Sequence, residues 1–142
     1  MADELPYAED IGHYWKTGKS DPETWMEKTR KVVTDLGGSI EAEGYGSAGG
    51  HAAYMIAFSI ERQRFKVIWP VLPTRSTYGV KGIDARRQAA TLLYHDIKAK
   101  AMTASVMGVR VAFFSYLSLP DGRSASELAM PELSEHFPKM LR

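Results

Sequence analysis

At Gly37-Gly38 the spacing of apolar residues changes period, and that change constrains the fold more than any other feature of the chain. Before it, Trp25, Thr29, Val32, Val33 and Leu36 recur at helical spacing. After it, from Ser39 to Leu72, the period is two, as in strands. A helix that leads straight into strands buries its stripe on their sheet, so the expected class is α+β. Ser20-Asp21-Pro22-Glu23 predicts the helix start: Ser20 caps, Glu23 completes a capping box and Pro22 is tolerated in the first turn. Gly37-Gly38 supplies the left-handed exit.

Within the alternating region, Ile40 to Tyr45 reads as a weak strand, Gly44 to Gly50 as a loop, and Ala52 to Ile60 with Arg64 to Leu72 as a hairpin through Arg62-Gln63. Pairing Glu61 with Arg64 sets Ile60, Phe58, Ile56 and Tyr54 against Phe65, Val67, Trp69 and Val71, an apolar core face. On the other face Arg64 and Lys66 lie beside Ser59, Ala57 and Ala53, whose small side chains should leave the basic groups accessible. Pro70 and Pro73 end the strand, and Pro73 to Gly82 forms a loop with Arg75, Tyr78 and Lys81. Asp84 can cap a helix from Ala85 to about Ala104, buried along Ala89, Ala90, Leu93, Ile97 and Ala104. Its expected outer strip is Arg87, Thr91, Tyr94 and Lys98, with Arg86 and Lys100 flanking the buried side.

Val109 to Leu119 fits strand and helix patterns alike, and is read as helix. Leu119-Pro120-Asp121-Gly122 makes a type I turn, and Ser124 to Glu127 caps a short last helix interrupted near Pro131. The expected architecture is an N-terminal helix, a small antiparallel sheet of three or four strands, a long basic helix and a helical C-terminal region. Residues 1–19 read as a flexible arm and 20–142 as a single domain. At 142 residues and 44% hydrophobic, the chain can bury about two thirds of its unfolded surface around one core.

Charge supplies the functional lead. From Glu61 to Arg110 ten Lys/Arg face three Asp/Glu, a balance of +7 in a chain whose net charge is +1. Such a block, interleaved with Phe65, Trp69, Tyr78 and Tyr94, suits a polyanion held by charge and stacked on aromatic rings, and it equally suits a solvated face. The expected nucleic-acid contacts are Arg64, Lys66, Arg75, Lys81, Arg87 and Lys98 to phosphate, with Tyr78 and Tyr94 stacking on bases. No sequence-specific readout motif accompanies them.

The order Arg64-Phe65-Lys66-Val67-Ile68-Trp69-Pro70, Arg86-Arg87, Ile97-Lys98-Ala99-Lys100, Leu119-Pro120-Asp121-Gly122-Arg123 resembles a family of small phage and prophage proteins of unassigned function, over about Gly37 to Pro131. That resemblance implies a phage origin, and phage genes of this size encode mostly nucleic-acid handlers, inhibitors of host systems or assembly parts. It carries no catalytic residues across.

Other constellations point to ordinary structure. Gly44-Tyr45-Gly46-Ser47-Ala48-Gly49 matches a phosphate-cradling pattern but leads into a strand where such a site needs a helix. His95-Asp96 cannot fill a metal coordination sphere alone, and no serine sits in a nucleophile elbow. Glu41 and Glu43 fall on one strand face, where an exposed edge explains them. Trp25, Trp69 and Phe113 read as core anchors. The absence of cysteine favours a reducing compartment, and the acidic first residues resemble neither signal peptide nor membrane span, so a cytoplasmic protein is expected. The expected function is non-enzymatic, single-stranded, sequence-independent nucleic-acid binding without cofactor or metal. The alternative is a phage-encoded module that binds a host protein, such as an inhibitor. An open sheet edge would allow a homo-oligomer.

Overall fold

In the computed structural model, which describes residues 5–15, 20–48, 51–75 and 83–130, helix gives way to sheet at the glycine pair. Helix α1 (Ala8–Ile11) precedes α2 (Pro22–Asp35); strands β1 (Ser39–Ala48), β2 (His51–Ile60) and β3 (Gln63–Val71) follow; then come α3 (Ile83–Met107), α4 (Val109–Ala112), a 3-10 turn (Phe114–Tyr116) and α5 (Ala125–Ala129). The three strands form an antiparallel sheet in the order β1-β2-β3, so the protein is α+β.

Asp21, rather than Ser20, caps α2: its carboxylate accepts from the Glu23 N–H at 3.2 Å, and Pro22 occupies the first turn. The Glu23 side chain pairs instead with Arg30, two turns further along the same face of the helix. Gly37 has φ of 85°, the left-handed exit expected of it. Gly38 serves a different need, because a Cβ there would stand 2.7 Å from Ile60 Cγ1 and 2.9 Å from the Ser59 carbonyl oxygen. Helix and sheet meet closely at that point.

The hairpin turns through Glu61-Arg62, not Arg62-Gln63, and both turn residues have positive φ, 53° and 69°. Ile60 therefore pairs with Gln63, Phe58 with Phe65, Ile56 with Val67 and Tyr54 with Trp69. The expected register is displaced by two residues. Since a two-residue displacement preserves the faces, the apolar face is the one predicted. Phe58, Phe65 and Phe113 meet on it with ring centroids 5.6 Å apart, joined by Met26 and Val33 of α2 and by Ala89, Ala90, Leu93 and Ile97 of α3. Burying each such large side chain stabilises the fold by roughly 1.5–3 kcal/mol.

Gly44 and Gly46 belong to β1 and not to a loop, paired with Met55 and Ala53; Gly49 and Gly50 lie outside the described residues. A bulge between Ile40 and Ala42 shifts the phase of β1 at Glu41. Glu41 consequently reaches Arg64 while Glu43 reaches Arg30 of α2, so the two carboxylates take opposite faces rather than one.

Within the segment expected as an arm, Ala8 is fully buried and donates its N–H to the Pro73 carbonyl. Gln88 of α3 donates to the carbonyls of Ala8 and His13, and the Tyr14 ring stacks on His95. Val109 to Leu119 is helical at its start, as read, and then tightens into the 3-10 turn. Leu117 bridges Phe65 on the outer side of β3, and the Ser118 N–H donates to the Arg64 carbonyl. The Leu119 carbonyl accepts from Gly122, closing the predicted turn, and Ser124 with Glu127 forms the predicted capping box on α5.

Candidate functional site

A groove for polyanions requires cations that share a surface and keep free N–H groups. Lys66 meets neither requirement: α5 covers the outer sheet face there, and the Lys66 ammonium is 2.8 Å from Glu127 with side chains only 9% and 1% exposed. The small neighbours Ala57 and Ser59 expected to leave Lys66 accessible instead admit α5. The same Glu127 carboxylate accepts the Ser124 N–H, so one buried group fixes both helix start and lysine.

Arg75 is held from the N-terminal side. Its guanidinium forms two 2.6 Å bonds to Asp10, its backbone N–H donates to Glu9, and it lies 4.7 Å over the Tyr7 ring. Arg87 stands 3.7 Å from Asp84 and its Nε is buried without a hydrogen-bond partner. Arg64 is exposed, 3.5 Å from Glu41. Lys98 is exposed with its ammonium 5.8 Å from the Tyr94 ring. Tyr78 and Lys81 lie outside the described residues.

Nor do these groups converge. Arg64 and Lys66 occupy the face of the sheet turned away from α2 and α3, whereas Arg87 and Lys98 belong to α3 on the opposite side. The expected outer strip of α3 is exposed only at Lys98: Thr91 is buried, its hydroxyl donating to the Arg87 carbonyl, and Tyr94 packs against Trp25 of α2 at 5.3 Å. Residues 8–15 and α2 cover that strip, a tertiary contact that helical spacing alone cannot show.

His95 and Asp96 are engaged elsewhere, His95 stacked on Tyr14. Asp96 accepts from the Tyr116 hydroxyl and pairs with Lys100 at 2.8 Å, and among the described residues no three acidic or histidine side chains are placed to hold a metal ion. Burial, with Asp96 alongside, pushes the Tyr116 pKa far up. Trp25 and Trp69 are partly buried against the core, and Phe113 is wholly inside it.

Two features escaped the sequence signals. The first is a cleft of about 210 Å³ at the start of α2, lined by Asp21, Glu23, Glu43, Tyr45, Tyr54 and Arg86. Arg86 donates from Nε to the Tyr54 hydroxyl at 3.2 Å and lies 4.3 Å over the Tyr45 ring. Arg30 spans Glu43 and Glu23 at 2.5 and 2.8 Å. Burial raises the Tyr54 pKa, so this hydroxyl stays protonated at neutral pH and is a hydrogen-bonding group rather than a base. Two of the cleft's carboxylates are thus held by Arg30 from outside it, and its cation Arg86 is held by the two tyrosines.

The second feature is an apolar end. Met102, Val106, Met107, Val111 and Phe114 are 68, 84, 60, 54 and 57% exposed, and they come from the last turns of α3 and the fold-back through α4. A signal for it exists in the sequence, since residues 101–120 contain a single charge, Arg110. In sequence, Ala104 and Phe113 of this stretch read as core, and Met102, Val106, Met107 and Phe114 are given no role. Neither a protein-family model, nor a curated protein, nor a solved structure matches the chain.

Proposed function

We propose that this chain is a non-enzymatic protein-interaction module that docks through its apolar end, and that its basic segment is chiefly structural. The observation that carries this reading is the exposure of five large apolar side chains within thirteen residues. Single exposed apolar residues are commonplace, but soluble monomers seldom present more than a few hundred Å² of contiguous apolar surface without a partner. The cations argue the same way: Lys66, Arg75 and Arg87 are occupied by Glu127, Asp10 and Asp84, and Arg64 and Lys98 lie on opposite sides of the sheet. The resemblance to small phage proteins supports a phage-encoded part of this kind, whose target is a host or phage protein. No helix among the described residues is long and apolar enough to cross a membrane.

A fluorescent single-stranded oligonucleotide, titrated at about 50 and 200 mM salt, tests the reading directly. A protein-docking module shows no saturable binding at either concentration. Tight binding at low salt that weakens by orders of magnitude at the higher would overturn it in favour of phosphate contacts.

A further inference from the structure

We infer that the partner on the apolar end is a second copy of this chain, packed α3 against α3 across a two-fold axis near Met102 and Thr103. This rests on the docking reading above and names its occupant. The outward face of α3 is treated differently along its length. In the first half the chain covers its own helix: Gln88 and Thr91 are buried, and Tyr14 stacks on His95. From Ala99 onward that ridge continues as Ala99, Met102, Thr103 and Val106, all exposed. These residues recur at three- and four-residue spacing, which places them in one row of the kind that packs into a facing helix.

Three properties of the row favour a copy of itself. It alternates small and large side chains, so in an antiparallel crossing the Met102 of one chain enters the space between Ala99 and Val106 of the other. The row itself is uncharged: Lys98 and Lys100 flank Ala99 in sequence, Lys100 is paired with Asp96 at 2.8 Å, and Arg110 lies beyond the other end. The area also fits. With Met107, Val111 and Phe114, all more than half exposed, the end offers apolar surface on the scale of a few hundred Å² that marks interaction sites. The exposed Ser105 and Arg110 around it would bring each chain toward the roughly 800 Å² per partner of a standard stable interface.

Light scattering after gel filtration, on the full chain at about 100 μM, should give twice the 15.8 kDa chain mass. Val106→Asp should weaken dimerisation by about 100-fold or more, with an unchanged circular dichroism spectrum because the side chain is exposed. A second measurement leaves the apolar row intact. The chain has no cysteine, so Thr103→Cys should form an intermolecular disulfide under mild oxidation, while a control Lys31→Cys on exposed α2 should not. A monomer at about 100 μM overturns the inference and leaves the docking reading to the oligonucleotide titration. So does a dimer indifferent to Val106→Asp, or cross-linking of Thr103→Cys no faster than the control.

Discussion

Lys66 is the residue at which charge counting and structure diverge most. Its position on the outer sheet face follows from the strand period, but its environment depends on α5, more than fifty residues later in the chain. A short capped helix announces itself through Ser124 and Glu127, and nothing in that local signature says which surface it will cover. The buried pair then makes a sharp prediction. Lys66→Ala removes the ammonium that balances the buried Glu127 charge and should destabilise the protein by about 3–5 kcal/mol in urea unfolding. Lys66→Met combined with Glu127→Gln retains the cap acceptor without a buried charge and should cost far less. Equal losses in the two variants would show that packing, not charge, governs the site.

At the scale of elements, most of the fold is legible because period and punctuation agree: the α2 stripe, the glycine exit, the two-sided hairpin and the α5 capping box all appear where residue types require them. The hairpin register was less legible. Glu61-Arg62 adopts a turn with both residues in the left-handed region, a conformation that ordinarily selects Asn and Gly, so neither residue type marks it. The pairing of Phe58 with Phe65 holds the turn in place from below. An ordinary L residue in that region costs roughly 1–2 kcal/mol, so Glu61→Asn with Arg62→Gly should raise stability by about 1 kcal/mol in chemical denaturation. A loss on making that pair of changes would mean that the two side chains contribute contacts of their own. Helix α3 was misread for the opposite reason. Its spacing identifies one buried stripe, and the second covering, by α2 and residues 8–15, is supplied by partners remote in sequence.

For the whole molecule, stability at high pH reports on two buried phenols at once. Burial raises the pKa of both Tyr116 and Tyr54, and Asp96 raises Tyr116 further. An unfolded tyrosine ionises near pH 10, so below that the folded and unfolded chains carry the same phenolic protons and this contribution is fully present. Above it the unfolded chain releases protons that the folded chain retains, and stability falls by up to about 1.4 kcal/mol per pH unit for each group. Urea midpoints measured from about pH 8 to pH 11 should therefore be level and then decline, with Tyr116→Phe giving a shallower decline. A wild-type curve that stays flat to the top of that range would contradict the buried state of both hydroxyls.

The bridge from Leu117 to Phe65 has a bearing on how such sheets fail. With Leu117 and Ser118 lying along β3, and Pro70 lacking a donor on that same strand, the sheet is stoppered on one side. Among the described residues β1 is the edge left to recruit a further strand, and two chains joined there would each turn a closed side outward. Strand addition between single chains thus uses each β1 edge once and leaves the β3 side closed.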